Sequence, residues 1–256
     1  MAKSGCLAHS GCGWHGVFPA SLAQPVDTVA AMTQEAFLRT QIAIESLLGV
    51  KVSLRSSIAI VYTSDRDTFC ALVESVARQT PAEASSACYF PGCGILVSPD
   101  ATDPSSIAHE LCHALIEVGR IATVRSDWAH EGFACIVGAE QLPRRARLGY
   151  LEVTCAWAQV ATANPSILDL FVFSNDRKWY ALAECFVRYL LRRAQDRPEV
   201  GATFFRILRT GCAQVKSTRR QLAHALGEPW EQVLDGLRDF LRSPERLDLP
   251  SNKFKV

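Results

Sequence analysis

Apolar positions recur with helical spacing over most of the chain and run unbroken in only a few places. Over residues 27–48, Ala30, Ala31, Ala36, Phe37, Ile42, Ile44, Leu47 and Leu48 follow two capping residues, Asp27 and Thr28. This predicts a helix that Gly49 stops. The β-branched run at 57–62 predicts a buried strand. Residues 65–78 predict a helix with Phe69, Leu72, Val73 and Val76 inward, closed by Pro81. A turn cluster at 89–94 leads into a second strand over 94–98. Asp103 and Pro104 open a helix that ends near Gly119, and Asp127 caps the next. Further helices are predicted over 148–163 (ended by Asn164 and Pro165), 178–194, 200–210, 217–226 and 229–241, and residues 167–173 read as a short helix or a packed loop. Residues 1–26 show no period and predict a poorly ordered leader or a loop. The pattern as a whole predicts an α+β fold, with a small N-terminal sheet packed on a mainly helical domain. That domain runs over 27–244, with its sheet-containing part at 50–100, its helical part at 104–244 and a tail at 245–256.

Composition narrows the function classes. Hydrophobic residues make up 48% of the 256, enough for a sizeable core. The net charge of +1 gives no basic surface for nucleic acid. No apolar run approaches the roughly 18 residues of a membrane span. The ten cysteines are scattered, and Cys112, Cys135, Cys155 and Cys185 sit in apolar helical contexts. That usage fits small buried hydrophobes in a reducing, cytoplasmic compartment better than a disulfide framework. The early segment, interrupted by His9, His15 and glycines, does not make a secretory signal. It does carry Cys6, His9, Cys12 and His15, a ladder of soft ligands. The ladder is too contiguous for the usual two-armed zinc site, and a composition accident is its plainer explanation.

The chemistry concentrates at 105–134. His109-Glu110-Leu111-Cys112-His113 is an HExxH motif within a predicted helix. Residues four apart lie on one helical face, so both imidazoles can reach one metal ion. Glu110 flanks that face, placed to take a proton from water rather than to bind the metal. A catalytic zinc needs a third protein ligand. A histidine six residues after His113 is excluded, because position 119 is glycine. Eighteen residues after His113 comes Glu131, in Trp128-Ala-His-Glu-Gly-Phe-Ala134.

That segment is similar to the W-x-x-E-G-x-A stretch of gluzincin peptidases. The chain resembles the peptidase MA-like, gluzincin-type superfamily of zinc metallopeptidases in a minimal single-domain, zincin-like form, over roughly residues 58–241. The resemblance implies one Zn2+ held by His109, His113 and Glu131, with Glu110 as general base. It also implies a tyrosine from a later helix as oxyanion donor. Tyr180 is the first candidate, with Tyr189 and Tyr150 behind it. The implied activity is hydrolysis of a peptide or protein substrate lying extended along the 94–98 strand. Two departures stand out. His130 precedes Glu131 where asparagine is common, and is open to two roles, as a hydrogen-bond donor behind the ligands or as a competing ligand. No Gly-x-Met-Glu-Asn amine anchor precedes the motif, which argues against aminopeptidase specificity. The alternative function is a non-catalytic zinc-binding domain whose helical half binds a partner. Glu184 is equally open, as a cleft residue or as the surface partner of Arg188 at i,i+4. Cys112 and Cys135 read as packing residues.

Overall fold

The computed structural model describes residues 6–22, 24–78, 85–99, 104–123, 127–163, 170–174, 176–211 and 215–243. Pro81, Asp103, Asn164, Pro165 and the 245–256 tail lie outside them. The elements are β1 (Cys6–Gly11), β2 (Trp14–Pro19), α1 (Val26–Leu48), β3 (Ile58–Tyr62), α2 (Arg66–Ala77), β4 (Ala87–Phe90), β5 (Gly94–Val97), α3 (Pro104–Val118), α4 (Trp128–Ala139), α5 (Arg144–Ala163), α6 (Arg177–Asp196), α7 (Pro198–Thr210), α8 (Val215–Leu226) and α9 (Trp230–Arg242). A small mixed sheet comes first and helices dominate the rest, which is an α+β fold. The chain divides into two compact units, residues 1–42 with 52–124 and residues 43–51 with 125–256.

The first unit holds a five-stranded sheet in the order β1-β2-β3-β5-β4. The inner pairs β2–β3 and β3–β5 are parallel, and β1 and β4 are antiparallel at the two edges. The sheet thus begins at Cys6, inside the stretch expected to be a poorly ordered leader, and not at residue 50. The reason for the difference is local. β1 is an exposed edge strand with no apolar alternation. β2 does alternate, with Trp14 and Phe18 buried, but its middle inward position is Gly16. A Cβ there would meet the Phe18 ring at 2.7 Å and the Trp14 ring at 2.8 Å, so the glycine lets two rings close over the backbone. Phe18 then stacks on Tyr62 of β3 at 4.8 Å between centroids.

In α2, Asp65 caps through its carboxylate, which accepts from the Thr68 N–H at 2.7 Å. Phe69 and Val73 are buried as expected, but Leu72 and Val76 are exposed, because only one face of this helix meets the sheet. Tyr89 and Phe90, expected in a turn, lie on β4, and the turn is 91–93. β5 lies inside the sheet between β3 and β4, so its backbone cannot pair with a substrate. Among the described residues the edge strand on this side is β4, and the expectation of a substrate along 94–98 is corrected accordingly. α3 is grouped with the sheet rather than with the later helices. It buries Ile107, Ala108, Leu111, Cys112, Ala114, Leu115 and Ile116.

The second unit is helical. α6 packs against α4, α5, α7 and α9. At Gly132 of α4 a Cβ would meet the Ala183 carbonyl of α6 at 2.5 Å, so these helices touch through backbone. α5 starts at Arg144, directly after Pro143, and so precedes its expected start at 148. Glu184 and Arg188 of α6 are not on a surface: they are 0% and 2% exposed and form a fork, Nε and Nη2 on one carboxylate oxygen at 2.9 and 2.7 Å. Among the described residues no helix is long and apolar enough to cross a membrane.

Candidate metal centre

α3 places His109 and His113 one turn apart. Their Nε2 atoms lie 3.2 Å apart and their rings meet edge to face. This is the spacing of a hydrogen bond between the two rings, and it is also close to the roughly 3.3 Å that would separate two nitrogens bound to one tetrahedral zinc at about 2.0–2.1 Å. Glu110, between them in sequence, turns toward the sheet. Its Oε2 accepts the backbone N–H of Tyr89 on β4 at 2.7 Å.

The register explains why that N–H is available. Ser86 and Ser98 are hydrogen-bonded partners, so Cys88 and Phe90 turn their backbone groups toward β5 while Ala87 and Tyr89 turn theirs to the open edge. Tyr89 therefore meets the motif helix in three ways. Its N–H donates to Glu110, its ring stacks on His113 at 6.3 Å between centroids, and its hydroxyl donates to Glu117. Burial, and then the Glu117 carboxylate, hold the Tyr89 phenol pKa well above its ordinary value. Sequence reasoning missed both Tyr89 and Glu117. The spacing of 109, 113 and 117 puts Glu117 on the histidine face and was the available signal.

Glu131 lies in the first turn of α4 and is 9% exposed. Asp127 caps this helix, accepting from the N–H groups of Ala129 and His130 at 3.0 and 3.1 Å. The same Asp127 oxygen lies 3.0 Å from Nδ1 of His130, whose ring is fully buried. This contact fixes how the His130 ring is turned. Each of His109, His113 and Glu131 offers one ligand atom, and these atoms lie within 4.8 Å of one another. Among the described residues no other His, Cys, Asp and Glu side chains make such a group. Cys6, His9, Cys12 and His15 in particular do not. Cys6 and His9 point to opposite faces of β1, and His9 stacks on Trp14.

The candidate tyrosines fare differently. Tyr180 is half-buried on α6 against Phe173 and Trp179 and lines a cavity of about 250 Å³ with Tyr150 and Trp157. Tyr150 donates its hydroxyl to Glu184 at 2.6 Å, and the Tyr189 hydroxyl accepts from Arg193 at 3.0 Å. Burial, and next Glu184, raise the Tyr150 pKa well above its ordinary value. Burial works against the Arg188 charge, but Glu184 outweighs it and keeps that guanidinium's pKa above its usual level. Cys112 is buried and the described cysteines carry free thiols. Comparison with protein-family models and with curated proteins returns no match.

Proposed function

We propose that the chain is a zinc-dependent peptide-bond hydrolase in which His109, His113 and Glu131 hold one Zn2+ and Glu110 is the general base. The observation that supports this reading best is the grouping of His109, His113 and Glu131, each offering one ligand atom within 4.8 Å of the others, with the two Nε2 atoms 3.2 Å apart, near the separation a tetrahedral site would require. Zinc in such a donor set supplies Lewis acidity, which acidifies water and polarises a carbonyl. The residues of the chain do the rest. Glu110 takes a proton from the attacking water and hands it to the departing amide nitrogen. The edge strand β4 offers the outward backbone groups of Ala87 and Tyr89 to an extended peptide, which suits a peptide substrate better than a small ester. The Tyr89 N–H that Glu110 now holds becomes free for the peptide when Glu110 turns to the water. Tyr180 remains the proposed oxyanion donor.

The test is Glu110→Gln assayed on unstructured protein substrates. The expected outcome is loss of turnover by at least about 10²-fold with zinc content unchanged. Persistent hydrolysis, or loss of zinc with the substitution, overturns the assignment of Glu110. A wild-type protein that holds zinc yet cleaves nothing in the panel favours instead the non-catalytic zinc domain.

A further inference from the structure

We infer that the first unit carries a recognition pocket for a basic side chain of the substrate, with Glu117 as its anchor. This rests on the peptide-hydrolase reading for its biological meaning, but its physical basis is separate.

A cavity of about 380 Å³ opens beside the motif helix. Its walls are the α3 residues Ala114, Glu117 and Val118, Tyr89 of β4, residues 92–94, Ser56 and Ser57 with the first residues of β3, and His15 of β2. The volume is ample for one long side chain with water beside it. Among the described lining residues Glu117 is the sole carboxylate, and none is Lys or Arg. No salt bridge to Glu117 occurs among the described residues, and one of its oxygens is already taken by the Tyr89 hydroxyl. That hydroxyl fixes the carboxylate and leaves the second oxygen to a ligand. A half-buried acid held in place with no ion-pair partner among the described residues, and with His15 as the one imidazole in the lining, selects a long cationic side chain, because the ligand then supplies the charge partner that the pocket lacks.

The place along the chain also fits. Glu117 follows His113 by one helical turn, and Tyr89 spans the two, with its ring on His113 and its hydroxyl on Glu117. A peptide paired with the open edge of β4 at Tyr89 would therefore have the pocket within reach of one of its side chains. Gly94 keeps the wall thin: its φ is +127°, and a Cβ there would meet the Ala59 carbonyl at 2.3 Å.

The experiment measures binding rather than turnover. Glu110→Gln protein loaded with zinc is titrated with three fluorescent peptides that differ at one position, carrying Lys, norleucine or Glu. Peptides with that position scanned along their length locate the register. The expected result is that, in one register, the Lys peptide binds at least about tenfold more tightly than the norleucine peptide, and the Glu peptide most weakly. Adding Glu117→Gln should reduce the Lys advantage to less than about threefold with norleucine affinity unchanged, and Glu117→Lys should invert the Lys and Glu order. Equal affinities in every register, or a Lys preference that survives Glu117→Gln, overturn the pocket. If wild-type protein cleaves nothing while the Lys preference and its dependence on Glu117 hold, the pocket stands and the hydrolase reading falls. If cleavage occurs with no preference for basic residues, the reverse is concluded.

Discussion

Single side chains set the chemistry through what they are bonded to. His109 and His113 follow from helical spacing alone, whereas the contact of Glu110 with a backbone N–H of an edge strand does not. Asp65 shows such a contact in a titratable form. Hydrogen bonds from Ser64 and then from Thr68 hold its carboxyl below the usual value of 3.8. Its folded pKa is thus below its unfolded one. The stability it adds is fully present above the unfolded pKa and is lost as pH falls through the folded one. Asp65→Asn should therefore remove part of the acid-side slope of stability and leave the profile above pH 6 parallel to wild type, as read from urea melts across pH. An unchanged acid slope contradicts this role.

At the level of elements, the buried fork on α6 makes the clearest stability prediction. Arg188→Met leaves the Glu184 charge buried with the Tyr150 hydroxyl as its remaining partner among the described residues and should destabilise by about 3–5 kcal/mol. The double variant Glu184→Leu with Arg188→Met should recover most of that loss in chemical denaturation. Gly132→Ala should cost about 1–3 kcal/mol, since its Cβ would force α4 from the Ala183 carbonyl of α6. Neither feature was fully legible in the sequence. An i,i+4 Glu–Arg pair has the same spacing on a surface as in a core, and only the apolar neighbours from other helices bury this one. Most helices were legible because they carry an apolar stripe and a stop signal, as Val233, Leu237, Phe240 and Leu241 do on α9. The first hairpin was not, since β1 has nothing to alternate and the Gly16 gap breaks the pattern of β2. β4 was hidden for a similar reason: a four-residue strand next to a glycine turn has too few positions to show a period of two. With β4 went Tyr89, and with Tyr89 the partner of Glu110 and the wall of the pocket.

Of the two compact units, the first holds a small mixed sheet with the motif helix, and the second is helical and holds the glutamate helix. If zinc is held as proposed, its binding free energy adds to folding. Chelation should then lower the Tm of the wild type and leave that of His113→Ala unmoved, as read by calorimetry. The most direct test of the central claim is the metal content of the purified chain, measured by mass spectrometry on the wild type and on single variants. One zinc per chain is expected in the wild type and in Glu110→Gln, and its loss in His109→Ala, His113→Ala and Glu131→Ala. A wild type without zinc, or a His113→Ala variant that keeps a full equivalent, would contradict it.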